Sequence, residues 1–245
     1  MNTEIQPPLG LWIDKMSSKD ALSSLLKNQG ESIKAIENAL PSILEVSEII
    51  YNKLLDSDDS RIIYSGAGTS ARIAVQDGVE LFPTFSWPLS RVGYMIAGGI
   101  EALTQSVEGA EDSIGFAKEA VKNILITPKD IVIGVTASGN TPFTLKTIEI
   151  SKKIGATTIG IGNNFNGKIQ KKAHYGITLD TGYELVAGST RLKAGTAQKI
   201  CLNLISTLCM ARLGGVKNGL MINLQPSNLK LKKRIAMIKE NFVPK

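Results

Sequence analysis

A chain of 245 residues with 28 Lys and Arg against 22 Asp and Glu, a formal charge of +6 and 5% aromatic residues fits one α/β domain with a substantial core. The basic excess gathers in "KIQKKAH" and "LKLKKR" rather than in a stripe interleaved with aromatics, which argues against nucleic acid and for a small anionic ligand. Two cysteines without a CxxC pair, one histidine, no apolar run of membrane-spanning length and no signal-peptide pattern exclude a metal site and a membrane span, so a cytoplasmic protein is expected.

Residues 18 to 56 carry apolar positions at helical spacing, Ile43, Val46, Ile49 and Ile50 among them, and Pro41 is expected to separate two helical parts. Residues 1–57 are read as an N-terminal helical arm and 58–245 as the ligand domain with C-terminal helices, together one globular unit. From Arg61 the texture changes. The runs "RIIYSG", "VGYMIAGG", "DIVIGVTASG", "TTIGIGNN" and "YGITLDTG" alternate with helical segments, the pattern of parallel strands covered by helices on both faces. His174, beside "KK" ahead of the last run, reads as a partly exposed structural residue. Cys201 and Cys209, eight apart in an apolar helix, read as buried small hydrophobes.

Two strand ends share one chemistry: "SGAGTS" at 65–70 and "TASGNT" at 136–141 are small, hydroxyl-rich turns that run into helices. In an open parallel sheet such turns line the ligand crevice and present helix N–H groups to anions, so a phosphate-bearing ligand is expected between them. Gly66, Gly68 and Ala71 also fit a GxGxxA dinucleotide pattern, but the next strand ends in glycines where an acid is required, and no GK[ST] follows either loop. Farther on, "AGSTRLKAGTAQK" opens a helix over 196–213 and brings Arg191, Lys193 and Lys199 to its positive end. An anion bound there is expected to relieve the clash. After Gly214 a short strand or turn and a terminal basic helix follow. Between these landmarks, "SVEGAED" sets Glu108, Glu111 and Asp112 close together, a pattern that a helix start explains without further reason and that a catalytic carboxylate would also fit.

"YSGAGTSARIAVQDGVELFPTF", "IAGGIEALTQSVEGAED", "ASGNTPF" and "AGSTRLKAGTAQKICLNLIST" together resemble the N-acetylmuramic acid 6-phosphate etherases of the sugar isomerase (SIS) domain superfamily, over roughly residues 40 to 235. The resemblance implies a three-layer sandwich with a five-stranded parallel sheet, a commonly dimeric assembly with a composite site, and no metal or organic cofactor. It implies cleavage of the lactyl ether of N-acetylmuramic acid 6-phosphate to N-acetylglucosamine 6-phosphate and D-lactate, in the recycling of cell-wall sugars. On the matching motifs, Glu80 is the acid that assists lactate departure and Glu111 the base at C2, with Glu108 and Asp112 supporting. Substrate binding falls to Ser65, Gly66, Gly68, Thr69 and Ser70, to Ser138, Gly139, Asn140 and Thr141, and to Ser189, Thr190 and Lys193. Where many members read "GTSGR" this chain reads "GTSAR", so the methyl of Ala71 must fit beside the first loop. A non-catalytic phosphosugar-binding regulator needs the loops but not both glutamates; an aldose-ketose phosphosugar isomerase needs the C2 base but no acid at a C3 ether.

Overall fold

The computed structural model describes residues 2–223. The terminal basic helix expected over "LKLKKR" lies outside them. Five parallel strands, β1 (Ile62–Gly66), β2 (Val92–Ile96), β3 (Ile131–Thr136), β4 (Thr157–Gly162) and β5 (Tyr175–Thr178), form one sheet in the order β2-β1-β3-β4-β5. All five coincide with the apolar runs of the sequence. Because β1 and β3 are buried at every position, their side chains feed both faces. Ile62, Tyr64, Ile131, Ile133, Ile159 and Ile161 face one core, while Ile63 and Val132 face the other.

The first core is roofed by α1 (Ser18–Asp56), α2 (Gly68–Val79) and α7 (Lys193–Met210). The second is covered by α4 (Ile114–Ile124), α5 (Pro142–Ile154) and the short α6 (Lys168–Lys172). A short helix α3 (Leu81–Phe85) continues α2, and a hairpin, β6 (Val216–Lys217) with β7 (Leu220–Met221), follows α7.

α1 runs unbroken for 39 residues with Pro41 inside it, where the sequence pointed to two parts. A proline removes one ladder bond and crowds the preceding turn. The stripe Ile36, Ala39, Ile43, Val46, Ile50 and Leu54, each at most 5% exposed, packs α1 onto the core on both sides of Pro41. Burial at about 1.5–3 kcal/mol per large aliphatic side chain offsets a local defect of roughly 3 kcal/mol, so the helix continues. Ser17 caps its start by accepting from the Asp20 amide.

His174 is exposed and its Nδ1 accepts from the Thr158 N–H at 3.2 Å, a structural role as expected. Cys201 and Cys209 are free and buried; burial pushes the Cys209 thiol up to about 12 and the Cys201 thiol higher still.

Candidate active site

In a sheet of this order the connections leave β1 and β3 on opposite faces, so a crevice opens beyond their carboxyl ends. Both hydroxyl-rich turns lie there. β1 ends at Gly66, where a Cβ would come within 3.1 Å of both the Ala71 nitrogen and the Val135 carbonyl. Glycine lets the strand end lie this close to β3 and to α2 without displacing either backbone. Gly68, at φ +52°, then turns the chain into α2, and Thr69 and Ser70 occupy its first turn. The Ala71 methyl is accommodated at 2% exposure, and its amide donates to the Ala67 carbonyl at 3.3 Å.

The second turn is held by its own hydroxyls. Ser138 Oγ accepts from the Asn140 N–H at 3.1 Å, and Thr136 Oγ1 pairs with Thr141 Oγ1 at 2.7 Å. Asn140 Oδ1 accepts from the Lys168 N–H at 3.3 Å, and Gly139, at φ +73°, lies so near Gly167 that a Cβ would stand 2.5 Å from its Cα. Neither α2, whose N-cap is Ala67, nor α5, whose N-cap is Thr141, has a side-chain cap. Two helix starts thus point uncapped donors into one crevice, the arrangement that receives an anion.

The third segment, Ser189–Thr190, meets the first at Gly195. A Cβ on Gly195 would stand 3.4 Å from Thr69 Cγ2 and 3.3 Å from the Thr190 carbonyl, which itself accepts from the Gly195 N–H. The start of α7 differs from the sequence-based expectation. It begins at Lys193 rather than 196, and the anion at its positive end is the chain's own Glu184. Fully buried, Glu184 accepts from the Lys193 N–H at 3.3 Å and the Ala194 N–H at 2.9 Å. Burial raises its carboxyl above the ordinary range while the two amides oppose that shift.

Two of the expected binding side chains turn elsewhere. Ser65 is 1% exposed and its hydroxyl pairs with Thr147 Oγ1 at 2.6 Å between the sheet and α5. Lys193 lays its ammonium over the Tyr183 ring at 4.8 Å. It lines a cavity of about 590 Å³ with Lys27, Asn28, Glu31 and Asp180, which none of 65–70, 138–141 or 189–190 lines. Burial lowers its basicity, and the nearby carboxylates of Glu184, Glu31 and Asp180 counter this.

The two glutamates lie at opposite ends of the sheet. Glu111 is exposed in a 3-10 turn, Ala110–Asp112, that follows β2 on the crevice side. Arg72, in the second turn of α2, fastens that connection by donating to the carbonyls of Ala102 at 3.0 Å and Gln105 at 3.2 Å. Glu80 caps the far end of α2. Twelve residues at about 1.5 Å each put it roughly 18 Å from Gly68. There it lines a cavity of about 330 Å³ with Asp77, Thr84, Lys199 and Asn203. Asp77, 5% exposed, is held by Tyr64 Oη at 2.8 Å, Asn203 Nδ2 at 2.7 Å and Ser206 Oγ at 3.0 Å. Lys199, Asn203 and Thr207 also line an adjoining apolar groove of about 990 Å³ between α1 and α7, where Leu40, Leu44, Leu204 and Leu208 are 37–54% exposed.

Among the described residues no group of three or more His, Cys, Asp or Glu side chains could hold a metal ion, and no helix is long and apolar enough to cross a membrane. Sequence reasoning missed Glu184, whose only signal is a lone acid ahead of a cation-rich helix start, and Arg72, which follows directly on the first loop.

Residues 45–152 match the glucokinase regulatory protein N-terminal SIS domain, and residues 107–207 match the SIS domain. The N-acetylmuramic acid 6-phosphate etherase of Francisella tularensis subsp. novicida is 43% identical over 96% of this chain and 79% of its own. That of Bacillus mycoides is 41% identical over the same shares. Among solved structures, a phosphoheptose isomerase from Francisella tularensis superposes with a TM-score of 0.57 over 79% of this chain and 97% of its own; at 19% identity this likeness shows the fold alone.

Proposed function

Because the chain belongs to the N-acetylmuramic acid 6-phosphate etherase family, we infer that it cleaves the lactyl ether of N-acetylmuramic acid 6-phosphate with water, giving N-acetylglucosamine 6-phosphate and D-lactate. The observation that carries this reading is the joining of that relatedness to Glu111 on the same sheet edge as two uncapped, hydroxyl-rich helix starts. The 6-phosphate sits between the starts of α2 and α5, taking donors from Thr69, Ser70, Ser138 and Thr141 and from backbone N–H groups, with Gly66, Gly68 and Gly139 giving the close approach and Asn140, Ser189 and Thr190 completing the wall. The Ser65 hydroxyl and the Lys193 ammonium have no part in it, since both are engaged elsewhere.

With the sugar open, the C1 aldehyde acidifies the proton on C2. The Glu111 carboxylate takes that proton, the C3–O bond breaks, and the lactyl oxygen leaves with the proton of the Glu80 carboxylic acid. Water then adds at C3 of the unsaturated aldehyde, returning a proton to Glu80, while Glu111 returns one to C2. Each carboxyl ends in its starting form. Since Glu80 lies roughly 18 Å from the first loop in its own chain, we propose that it serves the crevice of a second copy. The apolar groove beside it supplies the contact, because residues lining the groove also line the Glu80 cavity. The reaction belongs to the cytoplasm, where phosphosugars are handled.

The test is a set of single and mixed variants. Glu80→Gln loses about 10² to 10⁴-fold in lactate release yet still washes solvent deuterium into C2 of N-acetylglucosamine 6-phosphate, whereas Glu111→Gln loses both. Glu108→Gln stays near wild type. Equal mixing of the two inactive variants, with subunit exchange, restores about a quarter of wild-type activity, because half the dimers are mixed and each holds one intact site. No restoration, in a protein shown to exchange subunits, breaks the shared site. Intact lactate release in both variants breaks the carboxylate mechanism.

A further inference from the structure

We propose that Asn2–Glu4 are positioning residues for the phosphate site: this short N-terminal segment ties the second and third loops of the crevice together and sets the spacing between them. The proposal rests on the reading of 138–141 and 189–190 as walls of that site. The segment is a single 3-10 turn that crosses some 160 residues of sequence to reach the carboxyl end of β4. Thr3 is fully buried there, ahead of the exposed stretch Glu4 to Gln6.

The tie runs through Asn164, itself 3% exposed. Its Oδ1 accepts from the Asn2 N–H at 2.6 Å, and its Nδ2 donates to Thr3 Oγ1 at 3.3 Å and to the Ala137 carbonyl at 2.9 Å. The whole amide is thereby used, two donors and an acceptor, which fixes its rotamer. Ala137 immediately precedes Ser138, so the second loop is fixed by an amide that the N-terminal segment holds in place. On the other side the Thr3 carbonyl accepts from the Gly188 N–H at 2.9 Å, one residue before Ser189. Gly188 adopts φ +75°, a conformation that favours glycine at this junction, with the Glu4 carboxylate close beside it. Asn2 Nδ2 adds a bond to Asp180 Oδ1 at 3.2 Å on the connection after β5. Removing the segment leaves a buried amide short of two partners and a loop amide short of one, groups that are costly to leave unpaired.

The experiment compares wild type with Thr3→Val, Thr3→Ser and a chain lacking residues 1–4. It measures lactate release, inhibition by inorganic phosphate, and amide hydrogen exchange. Thr3→Val removes the acceptor for Asn164 with nearly constant volume. KM and the phosphate inhibition constant rise about tenfold, kcat stays within about twofold, and the amides of 138–141 exchange faster. Thr3→Ser restores all three. In the shortened chain the amides of 189–192 loosen as well. A lower Tm with unchanged loop exchange and unchanged KM makes the segment a structural anchor only and overturns the proposal. Faster loop exchange with unchanged KM also overturns it where Ser138→Ala does raise KM. Where Ser138→Ala leaves KM unchanged too, the loops are not the phosphate site and the underlying reading falls with it.

Discussion

The starts of α2 and α5 and the start of α7 lie at the same edge of the same sheet, yet they are finished differently. α7 receives a carboxylate from its own chain, with Glu184 fully buried against the Lys193 and Ala194 amides. α2 and α5 begin at Ala67 and Thr141 without a side-chain cap. α1, and α4 directly after the Glu111 turn, are again capped by their own serines, Ser17 and Ser113. Among the long helices of the described residues, uncapped donors are therefore confined to the two starts that follow β1 and β3. One physical device, the positive end of a helix, holds the fold together where the chain fills it and binds ligand where the chain leaves it open.

Filling an open start gives the largest expected effect. Ala67 already has the extended backbone of an N-cap residue, φ −130° and ψ 154°, so Ala67→Asp supplies α2 with its own carboxylate. Stability rises by about 0.5–2 kcal/mol in thermal melts, while KM for the phosphosugar rises on the order of 100-fold because the amides are occupied and the charge repels phosphate. A variant that gains stability and keeps its KM would erase the distinction between the two kinds of helix start. Next in size is Ser138→Ala, which removes one donor to a charged group, about 1.5–3 kcal/mol, read as a roughly 10 to 100-fold weaker affinity for N-acetylglucosamine 6-phosphate.

Emptying the filled start gives the converse. Glu184→Ala strands two buried amides at about 1–3 kcal/mol, seen in urea unfolding, with KM little altered. The smallest effect is its pH dependence. Because burial raises the folded carboxyl above 4.5, its contribution is fully present below 4.5 and is lost as pH rises through the raised value. The stability of wild type relative to Glu184→Gln therefore falls as pH rises from 4.5 through the raised value, and a flat difference would overturn the upward shift.

The strands and the two hydroxyl-rich turns were legible because β-branched runs ending in glycine have few other uses in a parallel sheet. Direction was not legible within them. β1 is buried on both faces, so no alternation tells that Ile62 and Tyr64 face α1 and α7 while Ser65 turns toward Thr147. The Glu184 cap spans nine and ten residues of irregular chain, and the Thr3 to Asn164 contact spans 161, separations at which no local pattern survives. Pro41 misled for a different reason: tertiary packing along α1 outweighs a local helix breaker. The separation of Glu80 from Glu111 follows from the length of α2, which the sequence pattern suggested only loosely.

Cys201 and Cys209 are the only thiols in the chain, and both face the core from α7. Burial closes both thiols off from solvent and raises them well above the ordinary range, and the thiolate is the reactive form. The folded protein is therefore silent to alkylating dyes, and each labelling event records an opening of the helix that joins α1 to α2. A surface cysteine introduced anywhere else would be labelled against almost no background, so α7 carries a chemical clock for unfolding and leaves the rest of the molecule free for reporters.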